Sequence, residues 1–144
     1  MDKKIMDRGG GRLLRLYSQN PRDYTAFEGL PPVDSSSAHM RWHPLRQEWI
    51  GYSSARQGRT FLPNTAECPL CPMTERGALS DIPMNDYEIA IFTNRFSALS
   101  AEPAPPPSLS VDATKGKGYC DVVSYSPEHN ANFATTTAWL RGEP

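Results

Sequence analysis

Two thiols, in the run Glu67-Cys68-Pro69-Leu70-Cys71-Pro72, have the types and spacing most suited to chemistry in this chain. A Cys-x-x-Cys turn points two sulfurs to one side. Zinc accepts such a pair at about 2.3 Å per sulfur and completes a tetrahedron with four ligands. Spacing alone leaves two other readings open: a pair of buried apolar thiols, and a redox pair. The flanking prolines and the lack of a helical pattern afterwards weigh against the redox pair. Further ligands for a metal would come from Cys120, His39, His43 or His129. His129 follows a strand pattern on a Ser-Pro corner, where a side chain can be aimed inward. Cys120 lies inside a strand pattern and reads as a core thiol, and His39 and His43 flank a hairpin as surface or packing residues. That makes three plausible ligands, with no obvious fourth.

These groups need elements to position them. Met40-Arg41-Trp42 and Glu48-Trp49-Ile50-Gly51-Tyr52-Ser53 flank a Pro44-containing turn, the pattern of a β-hairpin. Tyr87–Thr93 reads as a strand with Tyr87, Ile89 and Ile91 on one face and Phe92 on the other. Tyr119–Tyr125 reads as the next strand, ending at Ser126-Pro127-Glu128-His129, and residues 135–141 as the first turns of a helix. Pro103, Pro105, Pro106 and Pro107 make a stiff, solvated loop. Residues 1–12 are polar and glycine-rich and read as frayed. Arg12–Tyr17 fits a strand or a single helical turn, and Asn20-Pro21, Pro31-Pro32 and Ser35-Ser36-Ser37 are loop signals. The expected organisation is a largely irregular N-terminal arm over 1–38 followed by one domain over 39–144.

The bulk properties limit the function. A chain of 144 residues allows one ordinary domain and hardly two. A net charge of −1 argues against a polybasic nucleic-acid binder. Residues 1–60 carry ten Lys/Arg and six Asp/Glu, and the remainder five and ten, so the first half suits an anionic ligand or simply a solvated surface. Fourteen prolines imply a small core wrapped in irregular chain, while three Trp, six Tyr and five Phe supply anchors that disordered chains lack. No apolar run approaches the ~20 residues of a bilayer span, and no secretory signal is visible. Three cysteines, two of them in Cys-x-x-Cys, argue for thiols in a reducing compartment rather than a disulfide framework. The expectation is a cytoplasmic protein with neither nucleic acid nor membrane as partner.

Five stretches in one order with compatible gaps, over about residues 40–133, resemble the galactose-1-phosphate uridylyltransferases. They are Arg41-Trp42-His43-Pro44-Leu45-Arg46-Gln47-Glu48-Trp49-Ile50; Arg56 with Arg59; Cys68-Pro69-Leu70-Cys71-Pro72; Ile91-Phe92-Thr93-Asn94-Arg95-Phe96-Ser97-Ala98-Leu99; and Val122-Val123-Ser124-Tyr125-Ser126-Pro127-Glu128-His129. The resemblance implies an α+β, antiparallel-sheet, histidine-triad-like half-domain. It implies transfer of a uridylyl group between glucose 1-phosphate and galactose 1-phosphate through a uridylyl-histidine, with UDP-glucose and galactose 1-phosphate as substrates. It also implies a homodimer or a partner chain, and zinc held by Cys68, Cys71 and His129.

By the same resemblance, Arg56 and Arg59 approach the diphosphate, a task that suits the planar, always charged guanidinium. A solvated loop is the competing reading for both. Leu70, Phe92 and Val122 match apolar positions that wall the uracil and ribose, with core packing as the alternative, and Asn94 matches a nucleoside contact. Arg95 stands where members carry Asp and cannot accept a hydrogen bond from ribose. The family's His-Pro-His-Gln segment, with the nucleophile and a further zinc ligand, is absent from these residues, so no catalytic residue is assigned. The sequence-level expectation is thus a C-terminally truncated uridylyltransferase, inactive by itself. The rivals are a non-catalytic zinc-binding or pairing module and a sibling sugar-phosphate nucleotidyltransferase.

Overall fold

The structure is a computed structural model that describes residues 1–9, 11–24, 26, 28, 38–54, 63–73 and 79–134. Its strands are β1 (Asp2–Asp7), β2 (Leu13–Ser18), β3 (His39–His43), β4 (Glu48–Tyr52), β5 (Ile89–Thr93), β6 (Ala113–Lys115) and β7 (Asp121–Ser124). The chain divides into two compact units, Met1–Pro31 with Leu62–Phe92 and Val122–Pro144, and Pro32–Phe61 with Thr93–Asp121. The architecture is mostly antiparallel sheet. Among the described residues the named helical element is a 3-10 turn, Thr65–Glu67. The helix expected over 135–141 lies outside the described residues.

The first unit is built on a four-stranded sheet in the order β1-β2-β5-β7. In β2, Leu14, Leu16 and Ser18 are buried while Leu13, Arg15 and Tyr17 are only partly so, the period-2 alternation of a strand with one face on the core. Leu14 pairs across with Phe92 and Leu16 with Ala90, large against large and large against small. Ile82, Met84 and Tyr87 complete the cluster, and Met6, Tyr24 and Val122 pack against it. On the edge strand β1, Lys3 sits opposite Tyr17 with its ammonium 5.5 Å from the ring centroid. Lysine on an edge discourages pairing with other chains.

One expectation is corrected here. Residues 2–7, expected to be frayed, are a strand; paired with Leu13–Ser18, the strand alternative for Arg12–Tyr17, they form a hairpin whose second strand carries two residues of the core. Its loop uses Gly9 and Gly11 at φ 77°, where a side chain would be strained, and Gly9 N–H donates to Asp7 Oδ1 at 2.8 Å. The two faces of β5 are buried unequally. Ala90 and Phe92 are buried and Ile89 and Ile91 only partly so, while Tyr87 is buried from outside the strand, which begins at Ile89.

The second unit carries a three-stranded sheet in the order β4-β3-β6. The expected hairpin is present as β3–β4, with Trp42 opposite Trp49 in an edge-to-face contact at 5.5 Å. Gln47 closes its turn at φ 54° and donates its N–H to His43 O at 2.8 Å. β6 was not expected. It pairs with β3 where Gly116 lies against the backbone of Ala38, and an added Cβ there would stand 3.0 Å from the Ala38 carbonyl.

Candidate metal centre

The Cys-x-x-Cys segment is a turn whose Pro69, Leu70 and Cys71 carbonyls are held from outside it. Asn64 caps the preceding 3-10 turn, its Oδ1 accepting from Glu67 N–H at 3.1 Å. The Ser80 hydroxyl stands 2.9 Å from Pro69 O and 2.7 Å from Cys71 O, and Asp81 N–H donates to Pro69 O at 2.8 Å. Asp81 is fixed in turn by Arg12, whose Nη2 lies 2.9 Å from Oδ1. Leu70 O accepts from the Tyr87 hydroxyl at 3.0 Å.

The same hydroxyl reaches the segment after β7. Tyr87 Oη lies 2.8 Å from Ser124 Oγ and 2.7 Å from Ser126 O. Ser126 Oγ accepts from Glu128 N–H at 3.1 Å, closing the corner that presents His129. Burial pushes the Tyr87 phenol up to about 12, partly offset by the hydrogen bond to Ser124, so it remains a neutral donor at ordinary pH.

Between these two held turns lie Cys68, Cys71 and His129, whose ligand atoms all fall within 4.8 Å of one another. Cys71 Sγ and His129 Nδ1 are 3.3 Å apart. Burial first, and then the neighbouring Cys68, push the Cys71 thiol up to about 11. Two adjacent thiols next to an imidazole form a soft sulfur–nitrogen donor set of the kind that holds a metal ion. Among the described residues this is the cluster of metal-ligating groups.

The other residues singled out from sequence are distributed as follows. Leu70 lies in the thiol turn with its side chain exposed. Phe92 belongs to the core cluster and Val122 packs against it. Asn94, in the second unit, caps a local turn: its Oδ1 accepts from Phe96 N–H at 2.9 Å and its Nδ2 approaches Cys120 Sγ at 3.5 Å. Arg56 and Arg59 lie outside the described residues. His39 packs, as expected, with Nε2 accepting from Arg41 Nε at 2.9 Å and its ring stacked on Tyr52. Tyr87, Ser80 and Ser124 escaped the sequence reading. Their roles rest on contacts to backbone carbonyls, which leave no spacing signal.

A model of the family described as "Galactose-1-phosphate uridyl transferase, N-terminal domain" matches residues 28–138. Proteins named galactose-1-phosphate uridylyltransferase are similar to the chain. That of Thermotoga maritima is 34% identical over 95 residues, covering 63% of this chain and 28% of the relative. That of Streptomyces lividans is 34% identical over 99 residues, covering 69% and 23%. That of Kluyveromyces lactis is 34% identical over 120 residues, covering 67% and 32%. The chain therefore spans between about a quarter and a third of the length of these curated relatives. No solved structure gives a significant match.

Proposed function

The chain belongs to the galactose-1-phosphate uridylyltransferase family, and from that premise we propose that it forms the metal-holding and nucleotide-binding part of an enzyme moving a uridylyl group between glucose 1-phosphate and galactose 1-phosphate. The observation that carries this reading is the convergence of Cys68, Cys71 and His129 inside the matched region, with ligand atoms within 4.8 Å. The resident metal is zinc. Two ligands sharing a tetrahedral zinc stand roughly 3.5–3.8 Å apart, and the 3.3 Å between Cys71 Sγ and His129 Nδ1 needs little adjustment to meet that. The ion's contribution is structural: it ties the thiol turn to the corner after β7. Its fourth position is left to water or to a group outside the described residues.

Uridylyl transfer depends on placing a diphosphate and neutralising its oxygens. Arg56 and Arg59 take that task in this reading. By resemblance, Leu70, Phe92 and Val122 match the apolar positions against the nucleoside, and Asn94 matches a nucleoside contact. The antiparallel sheet of that unit is compatible with a histidine-triad-like α+β half-domain. The working protein is a cytoplasmic homodimer, or pairs with a partner chain; no helix among the described residues is long and apolar enough to cross a membrane.

Calorimetric titration of the zinc-loaded chain with UDP-glucose tests the assignment. Binding is expected, weakened at least tenfold in Arg59→Ala and less in Asn94→Ala. Binding of UDP-glucose that is indifferent to both substitutions would remove the nucleotide site from these residues.

A further inference from the structure

We propose that Tyr87 is a positioning residue for the metal centre, its single hydroxyl clamping the thiol turn to the corner that carries His129. This rests on the zinc reading above but concerns residues outside the ligand set. The phenol is buried, 1% exposed, and reaches three oxygens from two segments distant in sequence: Leu70 O at 3.0 Å, Ser126 O at 2.7 Å and Ser124 Oγ at 2.8 Å. Leu70 lies between the two cysteines, and Ser126 opens the turn that ends at His129. Tyr87 therefore bonds to the backbone of both halves of the donor set.

A phenol has one proton, and the two carbonyls share it. The Ser124 hydroxyl, 2.8 Å away, either donates to the phenol oxygen or accepts from it. Ser124 Oγ lies 3.5 Å from Ser126 O, a longer and weaker bond than the 2.7 Å one from the phenol. Loss of the hydroxyl therefore leaves Leu70 O and Ser126 O without this common donor. The ring of a phenylalanine at the same place would still fill the core beside Leu14, Leu16 and Met84.

The consequence is preorganisation. With the clamp in place, Cys71 and His129 stand at a separation close to that of two ligands of one ion. Without it, the two turns must be brought together when the metal binds, and the ordering cost appears as lost affinity. Groups outside the ligand set that orient it commonly change metal affinity 10–100-fold when removed.

The test is zinc affinity by competition with a chromophoric chelator, on the full chain, at a temperature where each variant is folded by circular dichroism. The wild type is expected to bind, Cys71→Ser to lose binding, and Tyr87→Phe to bind 10–100-fold more weakly. The visible spectrum of the cobalt-loaded Tyr87→Phe protein should differ from that of the wild type, because the ligand field reports the arrangement of sulfur and nitrogen. Ile82→Val serves as the control for general loss of stability: it is expected to melt earlier with affinity within twofold of wild type. Wild-type affinity and spectrum in Tyr87→Phe would overturn the clamp and leave the zinc reading standing. Failure of the wild type to bind zinc, or binding unaffected by Cys71→Ser, would take down the zinc reading and the clamp with it. Should Tyr87→Phe not fold, Ser124→Ala decides: a loss of twofold to tenfold supports the clamp, and unchanged affinity overturns it.

Discussion

Cys71 Sγ and His129 Nδ1 lie 3.3 Å apart although 58 positions separate them in the chain. Each sits on its own turn, and the Tyr87 hydroxyl reaches a carbonyl in each segment, Leu70 O and Ser126 O. Together with Cys68, Cys71 and His129 supply, among the described residues, three of the four corners of a tetrahedral ion. Protein purified without added zinc should therefore carry zinc at less than one equivalent, and Cys68→Ser or Cys71→Ser should carry none. Metal analysis by mass spectrometry checks this, and full occupancy surviving either substitution would sink the ligand assignment.

Alkaline pH should lower the protein's stability through Tyr87. Its phenol titrates at about 12 when folded against 10 for the unfolded chain. Below pH 10 both states hold the proton. Between pH 10 and 12 the unfolded chain has lost it while the folded one keeps it, so stability falls as pH rises through that window. One pKa unit is worth about 1.4 kcal/mol, so urea melts should show roughly 1–1.5 kcal/mol lost between pH 9 and pH 11 on this account. Tyr87→Phe should show a shallower pH slope over the same interval.

The N-terminal hairpin should behave as core. Leu16 is fully buried against Ala90 across the β2–β5 pairing. Leu16→Ala is expected to cost about 2–5 kcal/mol, and Phe92→Ala about 3–5 kcal/mol. Equilibrium denaturation measures both. A cost under about 0.5 kcal/mol for Leu16→Ala, typical of a surface site, would return residues 1–18 to the status of a loose arm.

Gln47 closes the β3–β4 turn at φ 54°. The left-handed region strains a side chain by roughly 1–2 kcal/mol, and glycine escapes that while losing more chain entropy on folding. Gln47→Gly should therefore raise stability by about 0.5–1 kcal/mol, read as an increased denaturant midpoint. A lower midpoint would mean that the glutamine side chain makes a contact outweighing the strain.

Local features of this protein are written in its sequence because their causes are local. The β3–β4 hairpin follows from two aromatic runs around a proline turn, and the thiol pair from its own spacing. The strand ahead of Ser126-Pro127-Glu128-His129 could be read in the same way, and the order of these stretches marked the family. Tertiary structure decided what depends on distant partners. Ile89-Ala90-Ile91-Phe92 is apolar on both faces, so its pattern could not say which face is core; pairing with Leu14 and Leu16, some 75 positions away, buried Ala90 and Phe92. The same pairing decided for a strand at Arg12–Tyr17, whose own pattern fitted a strand or a helical turn. Tyr87 is buried from beyond the end of its strand, where the alternation of side chains no longer applies. Its bonds to Leu70 O and Ser126 O join two turns through backbone oxygens that every residue possesses, and only the folded chain determines which of them lie within reach of one hydroxyl.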